Sequence, residues 1–93
     1  MAPNFSCFIN ETSDSLHLKL YGDFDGDSAY QLINSIKNKG KNFLNVFIDT
    51  NDLNRVYPFG ISVFEKKVRT IFKKKNTLIF IGKNKAAFLI NVY

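Results

Sequence analysis

The chain has 93 residues, of which 45% are hydrophobic and 23% are charged. This length is enough for one hydrophobic core and too short for two, and the composition is that of a globular protein. A single cysteine, Cys7, excludes an internal disulfide, and one cysteine with one histidine cannot build a zinc site. No apolar run is long enough to span a bilayer, and residues 1–6 show no signal-peptide pattern. We therefore expect one cytoplasmic domain over residues 1–93.

The net charge of +5 is unevenly distributed along the chain. Residues 1–60 carry five Lys/Arg against seven Asp/Glu, whereas residues 61–93 carry eight against one. A basic half of this kind can face nucleic acid, an anionic membrane or an acidic protein. Lysines on solvated helix faces explain the same numbers, and this is the interpretation that we favour.

Two alternating segments predict an opening β-hairpin. Residues 5–10 alternate in part, and residues 16–21 alternate strictly between apolar and polar side chains. Because turn-forming residues 11–15 separate them, the two strands should pair antiparallel. Three leucines of the second strand should face the core: Leu16, Leu18 and Leu20. The run 22–26 is expected to end this strand.

Residues 27–38 predict the first helix. Its apolar residues recur at the spacing of an amphipathic helix: Ala29, Leu32, Ile33 and Ile36. Ser28 followed by Gln31 fits a capping box, and Asp25 and Asp27 suit the positive end of the helix dipole. Gly40 should end the helix.

The second half of the chain predicts two further strands around a helix. Residues 45–49 and 77–81 are short continuous apolar runs, which are typical of strands buried on both faces. Residues 50–57 are expected to be a polar loop. A helix is predicted over residues 59–73, after Pro58, and its core-facing residues should be Ile61, Phe64, Val68, Ile71 and Phe72. After Gly82, residues 86–90 are expected to form a short last helix.

The elements follow the order β-β-α-β-α-β-α. A strand–helix–strand–helix–strand series implies parallel neighbours with right-handed crossovers, and the opening hairpin adds an antiparallel edge. We therefore expect an α/β fold, with helices packed on a mixed four-stranded sheet.

Two stretches resemble the STAS domain family of bacterial anti-sigma-factor antagonists. Residues 22–25 (Gly-Asp-Phe-Asp) lie between a strand and a helix, as the family's Gly-x-x-Asp motif does. Four further residues fill the spacing of its strand–loop–helix motif: Asp49, Leu53, Val56 and Gly60. The similarity covers about residues 5–90. It implies a STAS-like fold and a regulatory, protein-binding role.

The chain departs from the family at the position that the family phosphorylates. In the family, Asp-Ser-Ser-Gly opens the second helix and its second serine accepts phosphate. Here Tyr57, Pro58 and Phe59 replace Asp-Ser-Ser, so the phosphoacceptor position is Phe59. Thr50 and Ser62 do not occupy the matching place. We therefore expect no kinase-dependent switch.

Few residues predict chemistry of their own. His17 should face solvent beside Lys19, with nothing to mark it as a base. The acidic residues 23, 25 and 27 lack the further ligands of a calcium loop, so a helix-capping role is favoured, for Asp25 above all. Cys7 suits a small apolar position in the first strand. With no nucleophile–base pair and no glycine-rich phosphate loop, we expect neither an enzyme nor a metal or cofactor site.

Phe59 and Val63 are unusual because the helical period places them opposite the core stripe of the second helix, beside Lys66 and Lys67. Two interpretations stay open. In the first, Phe59 folds back onto residues 56–57. In the second, Phe59 and Val63 form an apolar patch with a lysine rim, in solvent, which suits a protein contact.

The expected partner-binding residues lie at the start of the second helix and in the acidic loop: Asp23, Asp25, Tyr57, Phe59, Val63, Lys66 and Lys67. The resemblance implies a protein partner, either an anti-sigma kinase, a transporter or another regulatory protein. A homodimer through the same surface stays open, and we expect no membrane insertion.

Two alternatives are retained. The first is a nucleic-acid-binding domain that uses the basic residues of the second helix: Lys66, Lys67, Arg69, Lys73, Lys74 and Lys75. We do not favour it, because Phe64 and Phe72, which are interleaved with these basic residues, lie on the predicted buried stripe and cannot stack on bases. The second is a STAS-like nucleotide-binding domain, which no phosphate-cradling loop supports.

Overall fold

The computed structural model describes residues 4–39, 43–71 and 77–88, the side chain of residue 71 excepted. Its elements are β1 (Ser6–Glu11), β2 (Ser15–Phe24), α1 (Gly26–Lys39), β3 (Asn45–Val56), α2 (Pro58–Ile71), β4 (Thr77–Ile81) and a 3-10 helix (Lys85–Phe88). The predicted order is confirmed. Residues 72–73 of the second predicted helix and residues 89–90 of the last one lie outside the described residues. Neither α1 nor α2 has the length and apolar character needed to cross a bilayer.

The four strands form one mixed sheet in the order β1-β2-β3-β4. β1 pairs antiparallel with β2, and β3 lies parallel to both β2 and β4. The hairpin turn is closed by the Thr12 N–H, which donates to the Ser15 carbonyl at 2.9 Å. The predicted mixed four-stranded sheet is therefore confirmed.

Both helices pack on one face of the sheet, which we call the inner face. The leucines of β2 that were expected to face the core are at most 1% exposed. Phe88, from the 3-10 helix, packs among Phe24, Phe64 and Phe80, with ring centroids 4.9 to 6.1 Å from its own. Burial of aromatic rings at these separations stabilises the core, and it fixes the end of the described chain against the sheet.

The opposite face of the sheet, which we call the outer face, has none of the described helices on it. No residue of β4 is buried, although β4 has the expected bounds. In β3, the inward residues Val46 and Ile48 are buried while Phe47 is half-buried. The prediction that these two strands are buried on both faces is therefore wrong, because the helices α1 and α2 both lie on the inner face and β4 is an edge strand.

The prediction of a polar loop over residues 50–57 is also wrong. β3 continues through Val56, alongside a β2 that continues through Phe24 rather than ending at Gly22. The pairing shifts register twice there, and Gly22 has a φ of 86°, which favours glycine. An irregular register breaks the alternation of apolar and polar residues, so the sequence pattern concealed this strand pair.

A buried hydroxyl ties β3 to the segment after β4. Thr50 is fully buried, and its Oγ1 donates to the Ile81 carbonyl at 2.8 Å. The Asn84 side-chain amide donates to the carbonyls of Thr50 and Leu53 at 2.8 and 3.1 Å. These bonds hold the C-terminal half of β3 in place, and that half leads directly into α2.

Candidate partner-binding site

The starts of α1 and α2 lie side by side because each follows the carboxyl end of one of two paired parallel strands. β2 ends at Phe24 and β3 at Val56, and these two residues are register partners. The Tyr57 N–H donates to the Phe24 carbonyl at 2.9 Å, which joins the two chain segments just before the helices begin. Ligand and partner sites in open α/β sheets commonly lie at this edge.

Asp25 is the N-cap of α1. Its Oδ1 accepts the Ser28 N–H at 3.0 Å, and the Ser28 hydroxyl lies 2.9 Å from both that oxygen and the Asp23 carbonyl. These bonds, with the backbone N–H first, hold the pKa of the Asp25 carboxyl below its ordinary value. The expected capping role of Asp25 is confirmed, whereas the expectation that Ser28 caps the helix is wrong. Ser28 is the donor, at the third helical position.

Two glycines let the helix starts approach each other. A Cβ atom on Gly60 would lie 2.8 Å from the carbonyl carbon and oxygen of Asp25. One on Gly26 would lie 2.9 Å from Cε2 of the Phe59 ring. A larger residue at Gly60 would force the two segments apart, because it would meet backbone, whereas a larger residue at Gly26 would displace the exposed Phe59 ring.

Phe59 projects from the first turn of α2 and is 71% exposed. Of the two interpretations left open by the sequence, the structure has the exposed one, with one edge of the ring against Gly26. Val63 was expected in solvent, and this is wrong. Val63 is half-buried and packs against the core cluster, because it lies one turn further on, where α2 faces α1.

A cavity of about 320 Å³ opens between the two helix starts, and we call its lining the helix-start surface: Asp25, Gly26, Asp27, Tyr30, Phe59 and Val63. Tyr30 is about half-exposed, and the ammonium of Lys67 lies 5.8 Å from the centroid of its ring. Tyr30 was not predicted from the sequence, although an aromatic residue off the apolar stripe of α1 was a usable signal.

The other predicted residues lie around this surface. Asp23 and Arg55 are cross-strand partners, and Tyr57 is 40% exposed. A hydrogen bond and the charge of Tyr57, and then the charge of the Asp23 carboxylate, raise the pKa of the Arg55 guanidinium. Lys66 is exposed on α2.

The remaining candidates lie elsewhere. His17 stacks on Phe47 on the outer face, with ring centroids 4.8 Å apart. Cys7 is half-buried, and burial raises the pKa of its thiol to about 11. Within residues 4–39, 43–71 and 77–88, no three His, Cys, Asp or Glu side chains are grouped as metal ligands would be.

The basic residues of α2 are only partly described. Arg69 forms an ion pair with Glu65 at 2.9 Å, and Lys67 lies over Tyr30. Lys73, Lys74 and Lys75 of the predicted basic stripe lie outside the described residues. The described part of the stripe therefore has two of its three cations engaged within the chain.

No protein-family model matches this chain, and no curated protein matches it in sequence. Solved structures do match. The crystal structure of Mglu shares 15% identity and a TM-score of 0.69 over 78% of this chain, which spans 18% of that protein. A STAS-domain anti-sigma-factor antagonist from Rhodobacter sphaeroides shares 13% identity and a TM-score of 0.68, covering 90% of this chain and 92% of that one.

The anti-sigma factor antagonist SpoIIAA in its unphosphorylated form matches with a TM-score of 0.62 and 13% identity, over 81% of this chain and 71% of that one. Identities this low carry information about the fold alone. The element order, the sheet order and these likenesses agree, and they show that the chain has the STAS-like fold of the anti-sigma-factor antagonists.

Proposed function

We propose that residues 1–93 form a non-enzymatic, STAS-like regulatory module that binds a cytoplasmic protein partner through the helix-start surface. The likeness to anti-sigma-factor antagonists supports a regulatory module of this class. The observation that carries the proposal is the exposure of Phe59, 71%, at the edge of a cavity lined by further apolar and charged side chains. A large apolar side chain in this setting is typical of an interface anchor.

The chemistry of the surface limits what the partner can present. Tyr30, Phe59 and Val63 offer apolar area to one inserted aliphatic or aromatic side chain. The carboxylates of Asp25 and Asp27 line the same cavity and favour a basic group next to that side chain. Lys66 and Lys67 favour an acidic group further along α2. A kinase of the anti-sigma type, a transporter domain or another regulatory protein could carry this pattern.

The module is proposed to lack the phosphorylation switch of its structural relatives. Phe59 stands at the phosphoacceptor position, and its side chain has no hydroxyl. The neighbouring carboxylate, Asp25, caps α1 through its hydrogen bonds with Ser28. Partner binding would therefore be controlled by the abundance of the two proteins, not by phosphate on this one.

The test of the surface compares the wild type with Phe59→Ser as baits for candidate partners encoded near the gene. We expect the substitution to weaken binding by about 2 kcal/mol or more, roughly thirtyfold in Kd, measured by calorimetry. Leu44→Ser is the matched control, because Leu44 is 60% exposed and lies at the other end of β3 from the helix starts. Equal affinity of Phe59→Ser and the wild type would contradict the proposal.

The test of the missing switch is incubation with ATP and an anti-sigma kinase, followed by mass spectrometry of the intact protein. We expect no change in mass, whereas an antagonist with serine at the family position serves as the positive control. A phosphate found on any residue from 57 to 63 would refute this part of the proposal.

A further inference from the structure

The outer face of the sheet carries side chains in rows that run across all four strands. The strand register aligns Phe8, Lys19, Asp49 and Ile81 in one row. The next row is Asn10, His17, Phe47 and Ile79. From β1 to β4, the first row is apolar, positive, negative and apolar. In reverse order it is apolar, negative, positive and apolar, so the row is complementary in charge to its own reverse.

This face is apolar at both edges, and none of the described helices covers it. Phe8 on β1 is 64% exposed and Ile81 on β4 is 40% exposed. The Phe8 ring packs edge-on against Tyr21, with centroids 5.2 Å apart, and His17 stacks on Phe47. These side chains are held in place by their neighbours in the sheet, so the face is ordered before anything binds to it.

We propose that the outer face is a dimer interface with a second copy of this chain, related by a two-fold axis that runs along the strands between β2 and β3. Such an axis places each row over the reversed row of the partner copy. Phe8 then lies over Ile81, and Lys19 lies over Asp49, each contact occurring twice. In the second row, His17 of each copy lies over Phe47 of the other copy.

Charge favours a copy of this chain over nucleic acid as the occupant. Lys19 is the cation in the middle of the face, and it already lies 3.5 Å from the Asp52 carboxylate. Asp49 is next to it in the row, and its Oδ1 accepts the Asn51 N–H at 2.9 Å. A phosphate backbone would meet two carboxylates here, whereas a second copy brings one opposite charge for each charge of the row.

The size of the face is that of a weak interface. Four strands and about five residues of each cover roughly 300 Å² in projection on each copy, less than half of the ~800 Å² per partner of a standard interface. We therefore expect a dimer Kd in the micromolar range or above. Sedimentation and NMR measurements reach the protein concentrations at which such a dimer forms. This dimer leaves the helix-start surface open, so it does not depend on the function proposed for that surface.

The first experiment is analytical ultracentrifugation of the full chain from about 10 μM to about 1 mM, compared with charge variants. Lys19→Glu and Asp49→Lys should each raise the dimer Kd at least about tenfold, because each places like charges over each other twice. The double variant should recover to within about threefold of the wild type, since the swapped charges pair again. Lys37→Glu, the same charge change on α1, should not alter the dimer.

A second set of variants tests the apolar contact. Phe8→Ser should abolish the dimer and Leu44→Ser, with a similarly exposed apolar residue outside the face, should not. In a mixed sample of labelled and unlabelled chains, NOEs should connect the Phe8 ring with the Ile81 methyl groups of the other copy. Urea melts of every variant confirm that it is folded.

Three results would overturn the proposal. The first is a monomer at all concentrations. The second is a dimer that Phe59→Ser abolishes and Phe8→Ser does not, which would place the interface at the helix-start surface. The third is failure of the double charge swap to restore the dimer while all variants remain folded.

Discussion

The starts of α1 and α2 are in contact, yet one is dominated by polar contacts within the chain and the other by an exposed apolar side chain. At α1, Asp25 accepts a backbone N–H of the first turn and Ser28 returns its hydroxyl to the same loop. At α2, the first turn holds no acidic residue, Pro58 has no N–H to donate, and Phe59 projects into solvent. The polar groups of the first start are satisfied within the chain, whereas the second presents apolar area that the chain does not use.

This difference indicates which of the two helix starts contributes more to the free energy of partner binding. A carboxylate that caps a helix stabilises the fold through its hydrogen bonds, so its replacement changes stability first. The exposed Phe59 ring, by contrast, has no hydrogen bonds to lose when a partner covers it. The contrast predicts that removal of the Asp25 carboxylate acts on folding and that removal of the Phe59 ring acts on binding.

The largest effect is expected at the contact between the two starts. Gly60→Val should lower the free energy of unfolding by about 3 kcal/mol, because its Cβ and methyl groups would collide with the Asp25 backbone. Ser62→Val, the same new side chain at an exposed position of α2, should cost less than about 0.5 kcal/mol. Urea melts measure both, and a Gly60→Val protein as stable as the wild type would show that the two starts are not in close contact.

The N-cap should give a smaller effect that depends on pH. Asp25→Ala should cost about 1 kcal/mol at neutral pH, since the Ser28 N–H loses its acceptor. Because folding lowers the pKa of Asp25, its stabilisation is present above the ordinary carboxyl pKa and is lost as the pH falls through the lowered value.

The wild type and Asp25→Ala should therefore converge in stability in acid. Asp27→Ala, which changes the same helix-dipole interaction without removing the cap, should cost only a few tenths of a kcal/mol. A constant difference between the wild type and Asp25→Ala down to the lowest pH at which both fold would contradict the assigned cap.

The sequence predicted the fold well where a single physical pattern applied. Strict alternation identified the inward leucines of β2, and the 3.6-residue period identified the buried residues of α1. It failed over residues 50–56, because the register shifts between β2 and β3 destroy the period of two that identifies a strand. It also failed on the burial of β4, since local pattern cannot show that both helices choose the same face of a sheet.

The site was predicted in part, for a similar reason. Phe59 stood out because it lies off the apolar stripe of its own helix, and that is a local property. Tyr30 was missed, and the role of Gly26 with it, because their importance comes from a contact with α2 that only the folded chain creates. Val63 was placed in solvent because helical phase alone does not include the neighbouring helix.

The claim that most needs testing is that Phe59 is a contact residue and not part of the core. Urea melts of the wild type and Phe59→Ser measure this directly. With the ring 71% exposed, we expect the free energies of unfolding to agree within about 0.5 kcal/mol. A loss of about 3 kcal/mol or more would mean that the ring is buried in the core, and it would remove Phe59 from the partner-binding surface.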